Sequence, residues 1–287
     1  MKKTIVLNLF IIFTCPFFTH AQWLEKKGNG YFKLSAWSLE ADQHYTNSGK
    51  IDPNATRGVF NLNLYAKYGL SENWDMIAYI PFYVKSYQNN QVSQIRNETL
   101  LKGEEFNSFG DMDLGVEYRL FKKSKYAFST TLTLGIPSGD SKGGSDGSYQ
   151  TGDGEFNQII RFNAAASFFL FKHSFYAKSY LGFNNKTENF SDEVRAGIET
   201  GTSFFGSKLF LLLRSNMVNS LRNGSLNASN SSGSIFANNV EFISIGGEVA
   251  WKFTKKIGLS FAYNSAISGK VIYAAPSYSA GVFYLLK

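Results

Sequence analysis

From Gly30 onward, apolar and polar residues take turns along the chain with a period of two. In the segment 59–68, Phe60, Leu62, Leu64, Ala66 and Tyr68 alternate with Asn61, Asn63, Tyr65 and Lys67. In 111–121, Met112, Leu114, Val116, Tyr118 and Leu120 alternate with Asp111, Asp113, Gly115, Glu117 and Arg119. Successive side chains of a strand point to opposite faces, so each segment has one greasy face and one wet face. Charges at every second residue exclude a helix of that length. The repeating segments run about ten to fourteen residues, longer than soluble strands need and long enough to cross a bilayer at a tilt.

The pattern predicts about twelve strands: 31–40, 58–69, 74–86, 109–121, 126–137, 156–171, 175–184, 194–205, 208–220, 240–253, 257–268 and 277–287. The first alternates poorly, and its register is the least defined. Between them, short turns (70–73, 122–125, 172–174, 206–207, 254–256) alternate strictly with longer loops rich in Asn, Gly and Ser (41–57, 87–108, 138–155, 185–193, 221–239, 269–276). An even strand number, short turns at one end and long polar loops at the other predict an all-β fold. It is a transmembrane antiparallel β-barrel with periplasmic turns and extracellular loops. A soluble sandwich has no reason to sort its loops in this way.

At the short-turn end, the residues of outward parity are Tyr68, Trp74, Tyr118, Tyr126, Phe168, Phe175, Phe204, Trp251 and Tyr284. An aromatic girdle of this kind belongs at a membrane interface.

Composition narrows the setting. Aromatic residues make up 16% of the 287 residues, and hydrophobic residues only 44%. No stretch after the first two dozen residues is apolar enough for a transmembrane helix. The start, MKKTIVLNLFIIFTCPFFTHA, has Lys2 and Lys3 before a short apolar run and Thr19 and Ala21 ahead of a cut site. This predicts a secretory signal peptide over 1–21 and a single barrel domain over 22–287, destined for the cell outer membrane. Cutting after Ala21 removes the only cysteine, Cys15, and with it any disulfide, thiolate nucleophile or Cys metal ligand. The net charge of +7 is scattered rather than clustered, so a nucleic-acid partner is not expected. The expected partners are outer-membrane lipid and a small-molecule solute.

Catalytic chemistry finds little support. Of the three histidines, only His44 and His173 lie beyond the signal, in an outer loop and a short turn. Neither is held on a rigid strand beside a nucleophile, and no nucleophile elbow, zinc-helix or phosphate-loop motif occurs. No enzyme activity, cofactor or metal is expected. The loop 138–155 offers Asp140, Asp146, Asp153 and Glu155 as oxygen ligands for a cation such as Ca²⁺, but its spacing does not match an EF-hand; the other reading is a flexible or self-capped Gly/Asp loop.

The inward parity is more informative. It places Glu117, Arg161, Lys178, Glu199, Arg214 and Glu248 near mid-height of the lumen wall, with Tyr79, Tyr83 and Tyr180 among them. Alternating signs on consecutive strands predict either paired charges or polar guides for a solute. A wall of mixed sign argues against strong ion selectivity. Pro81 sits inside the third strand, at inward parity. It has no N–H for the ladder, and a closed barrel has no free edge, so a bulge is expected there. The bulge either re-aims Tyr79 and Tyr83 or opens a lateral gate in the wall.

Two stretches carry a resemblance: GDMDLGVEYRLF at 110–121, and LGIPSGD at 134–140 followed by QTGDGEFNQ at 150–158. They resemble the outer-membrane family named after a phenol-degradation meta-pathway protein. Its members share a G-D-x-x-L-G-x-x-Y strand and a P-[ST]-G-D segment followed by a T-G-x-G turn. The resemblance implies an outer-membrane barrel passing hydrophobic or aromatic small molecules in the manner of fatty-acid channels. The expected function is therefore a channel for passive uptake of small hydrophobic or amphipathic solutes. The alternatives are a non-transporting structural or adhesive barrel and, further off, a barrel hydrolase.

Overall fold

The computed structural model describes residues 25–53, 57–93, 95, 98–170, 173–226 and 235–287. The expected signal peptide lies outside them. Twelve long strands form the wall: β1 (Gly30–Ala41), β2 (Arg57–Gly69), β3 (Trp74–Gln88), β4 (Met112–Lys123), β5 (Tyr126–Ile136), β6 (Asn157–Leu170), β7 (His173–Asn185), β8 (Glu193–Phe204), β9 (Leu209–Ser220), β10 (Glu241–Lys252), β11 (Ile257–Lys270) and β12 (Pro276–Leu286). Each pairs antiparallel with its sequence neighbour, and β1 pairs with both β2 and β12. Gly30 stands between Tyr68 and Leu286, so the sheet closes and leaves no edge.

The two faces behave as the alternation predicts. Leu132, Ile160, Leu181, Ile198, Leu213 and Ile245 are exposed on the outer face. A belt of that extent is a surface for lipid rather than water. At the short-turn end the girdle forms, with Trp74 against Tyr118 at 4.6 Å between ring centroids and Phe168 stacked on Phe175 at 5.8 Å.

Around β1 the lumen face changes from polar to apolar on the way to the outer end. Lys33 and Ser35 of β1 point inward, and two residues further up Trp37, Leu39 and Ala41 do the same. Leu39, Ala41, Val59 and Val84 pack inside the wall with Tyr273 and Ala275 from the last outer loop, and with Trp37 and Ile235. The alternation of β1 is poor for this reason. Its inward face changes from polar to apolar halfway up, while Ser38 and Glu40 make the outward face polar.

The described parts of the first, second and last outer loops carry regular pairing of their own. His44–Tyr45, Ile51–Asp52 and Ile272–Tyr273 form a small three-stranded sheet across the first and last loops. Within the second loop, Glu104–Ser108 pairs with the upper part of β3, Val84 opposite Ser108. The fourth wall strand, expected from 109, begins only at Met112.

Candidate functional site

A belt of ion pairs crosses the lumen, with Glu117, Glu199 and Arg214 in the middle of their strands. Arg214 of β9 binds Glu199 of β8 at 2.5 Å and Glu248 of β10 at 2.8 Å. Lys178 approaches Glu199 at 3.6 Å, and the Tyr176 hydroxyl donates to the same carboxylate at 2.7 Å. On the opposite side, Lys67 binds Glu117 at 2.7 Å and fully buried Asp75 at 3.2 Å. The Ser129 hydroxyl donates to Glu117 at 2.5 Å. Lys33 of β1 reaches Glu248 at 2.8 Å, passing over β11 and β12, where Gly281 leaves room for its stem. Desolvated charges persist when each has a partner of opposite sign, and here four cations meet four carboxylates.

Five of the six charged residues expected at the wall thus belong to this belt, Lys178, Glu199, Arg214 and Glu248 in one connected set and Glu117 in a second with Lys67 and Asp75. Arg161, the sixth, stays outside it. The guanidinium lies over the Tyr180 ring at 5.2 Å, and its buried Nε has no hydrogen-bond partner. Lys33, Lys67, Asp75 and Tyr176 are network members that sequence reasoning did not single out. Lys67 has the right parity in a clean strand and was within reach. Lys33 was hidden by the irregular alternation of β1.

Tyr79 faces the lumen, paired with Tyr65. Tyr83 does not. The register between β2 and β3 shifts between Leu62 and Leu64, so that Pro81 and Phe82 together stand opposite Asn63. That extra residue reverses the parity of everything above it. Tyr83 pairs with Leu62 and its ring meets Phe60 at 6.3 Å on the outer face, while Val84 turns inward. The bulge expected at Pro81 is therefore present, and it corrects the placement of Tyr83.

The same bulge interrupts the wall on its other side. Ladder pairing of β3 with β4 ends at Tyr79 opposite Asp113 and resumes with Glu104–Ser108 only at Val84. Between these points the Gly110 N–H donates to the Pro81 carbonyl at 2.8 Å. A side chain at Gly110 would strike Pro81 and Val84 at 2.7 Å, so the residue must be small.

Above the belt, the third outer loop is pinned to the wall by acidic side chains. Asp111 accepts the N–H of Gly139 at 2.9 Å and that of Asp153 at 2.7 Å. The Lys186 ammonium sits among Asp153 (3.3 Å), Glu155 (3.4 Å) and Glu193 (3.6 Å). Glu155 also accepts the N–H of Thr187 at 2.7 Å. Arg57 of β2 donates to Ser148 and lies over the Tyr149 ring, drawing the loop across the mouth. Among the described residues, no group of three His, Cys, Asp or Glu side chains is set to hold a metal ion. At Asp153 and Glu155 the Lys186 ammonium stands where a cation would.

Burial and the nearby Asp153 carboxylate push Asp111 up to about 7, against the pull of its two N–H donors. A carboxyl group held protonated to higher pH in the folded loop favours docking most below the ordinary carboxylate range. That advantage is lost as the pH rises through about 7. Exchange protection over 138–155, corrected for the intrinsic base-catalysed rate, is therefore expected to fall between about pH 4 and pH 7, by up to about tenfold per pH unit, and to level off above. Asp111→Asn should flatten this dependence, and an unchanged slope in the variant would assign the effect elsewhere.

Comparison with solved structures places this architecture. The chain is similar to an outer membrane channel from Pseudomonas putida F1, with a TM-score of 0.56 and 13% identity over 95% of this chain and 99% of that one. Weaker likenesses include the KdgM porin in complex with disordered oligogalacturonate, with TM-score 0.45 and 8% identity over 88% and 98%. Another is the beta domain of the Bordetella autotransporter BrkA, with TM-score 0.47 and 14% identity over 90% and 99%. No protein-family model matches the chain, and no curated protein matches it. The fold is that of an outer-membrane β-barrel.

Proposed function

We propose that the protein is a non-enzymatic channel for passive uptake of small hydrophobic or amphipathic solutes, with its mature part starting near Gln22. One observation carries the reading: the apolar cluster at the outer end of the lumen lies beside the break in the wall at Pro81. Val84 belongs to that cluster and touches the space over Gly110. An apolar solute held there has a short way out into lipid past Pro81, and the ion-pair belt beneath opposes its descent through the lumen. Resemblance to the phenol-degradation family, through Gly110, Asp111 and the pinned third loop, supports the same solute class.

Pro81→Val supplies the missing N–H and should favour regular pairing of β3. One ladder hydrogen bond of about 1 kcal/mol would slow uptake of radiolabelled toluene by about fivefold, with folding intact. Equal uptake by the variant and the parent, at equal barrel density, would reduce Pro81 to a structural bulge. The second reading, a closed structural or adhesive barrel, is favoured by the loops drawn over the mouth through Arg57 and Tyr273. Toluene influx no faster than in cells lacking the protein would establish it.

A further inference from the structure

The lumen holds a cavity of about 400 Å³ whose wall includes Tyr65, Tyr79, Arg161, Asn163, Tyr180 and Asn216. That is room for a single-ring molecule. We propose that Arg161 and Tyr180 form the recognition end of a binding site for small aromatic monocarboxylates, of which benzoate is the simplest. The proposal rests on the channel reading and names one solute class within it.

Arg161 differs from every cation of the belt. Lys33, Lys67, Lys178 and Arg214 each have a carboxylate within 4 Å, whereas Arg161 makes no ion pair among the described residues. Its Nε is buried and has no hydrogen-bond partner. A desolvated guanidinium in that condition is stabilised by a ligand that accepts from its planar fork, and a carboxylate fits that fork with two parallel bonds.

The surroundings are built for this arrangement. Gly182, opposite Arg161 on β7, leaves room for the Arg161 stem, since a Cβ there would meet Arg161 Cγ at 2.9 Å. Gly197, opposite Tyr180 on β8, leaves room in the same way for the Tyr180 ring, at 2.4 Å. The Tyr180 hydroxyl donates to Asn216 at 3.1 Å, which fixes the plane on which Arg161 lies. Tyr65 and Tyr79 stand side by side across β2 and β3 and supply aromatic wall for a ring. Lys67, Lys178 and Arg214 line the same cavity, each already held by Glu117 or Glu199, and Asp113 lies there too.

The test is equilibrium dialysis of radiolabelled benzoate against the full-length barrel in detergent, with benzamide as the uncharged analogue. The wild type is expected to bind benzoate saturably and in preference to benzamide. Arg161→Gln should weaken benzoate binding by at least about tenfold and leave benzamide binding unchanged. Tyr180→Leu, which keeps the charge and removes the stacking plane, provides a second variant should the first fail to fold. Equal benzoate binding by wild type and both variants, or none by the wild type, would overturn the site. Influx into proteoliposomes separates this proposal from the reading beneath it. Wild type that binds benzoate but passes neither compound retains the site and loses the channel. A barrel that passes both compounds with Arg161→Gln indistinguishable from wild type retains the channel and loses the site.

Discussion

Arg214→Ala is expected to destabilise the folded barrel by about 3–5 kcal/mol, the usual cost of stranding a desolvated charge. Arg214 holds both Glu199 and Glu248, whose side chains are only 18% and 9% exposed. After truncation, Glu199 retains Lys178 at 3.6 Å and Tyr176, and Glu248 retains Lys33, so the loss falls on two partly satisfied carboxylates. Urea unfolding in lipid vesicles would measure it, with a heat-modifiable gel shift as a second readout. If the belt guides solute instead of bracing the wall, permeation changes while the unfolding midpoint stays put. A variant altered in neither respect would mean that Arg214 simply faces water.

Lys186→Met should have an effect of similar size in a different place. The Lys186 ammonium is only 6% exposed and is shared by three carboxylates. Glu193 keeps Arg195 at 2.6 Å, but Asp153 and Glu155 lose their cation. Burial already pushes Glu155 above the ordinary carboxylate range, and without Lys186 it should rise further. The third outer loop is then expected to release at pH 8, at a cost of about 3 kcal/mol or more, and to redock partly near pH 5 as the orphaned carboxyls take up protons. Amide exchange over 138–155 at the two pH values would show it. Protection unchanged at both values would mean that Asp111 and Arg57 suffice to hold the loop.

The barrel was legible in the sequence because lipid outside and water inside force a strict period of two. The boundaries of β2 through β12 follow it within a few residues. The wall charges were legible by the same parity, and Glu117, Lys178, Glu199, Arg214 and Glu248 do join one belt. Parity fails where the solvent rule fails. In the upper half of β1 the lumen itself is apolar, so inside and outside no longer differ in polarity. In β3 one extra residue at Pro81 reverses the faces, and the proline gave warning of the bulge but not of which side Tyr83 would take. Long-range partners were not legible at all. That Lys186 answers Asp153, Glu155 and Glu193, or that Asp111 receives the backbone of a loop far along the chain, depends on folding the outer loops back over the mouth. The motif residues Gly110, Asp111 and Gly152 acquire their meaning only there, since a side chain at Gly152 would strike the Asp111 carboxylate.

Considered as a mechanical object, the barrel is a hoop, and a hoop yields first by becoming oval. Lys33 to Glu248 and Lys67 to Glu117 are cross-ties, each joining staves that are not neighbours. They resist that change of section, and the first of them straddles the seam where β1 meets β12. Neither tie reaches the level of Pro81. A load on the wall then finds less resistance in the panel between β3 and β4, where the ladder is interrupted and the Gly110 N–H meets the Pro81 carbonyl.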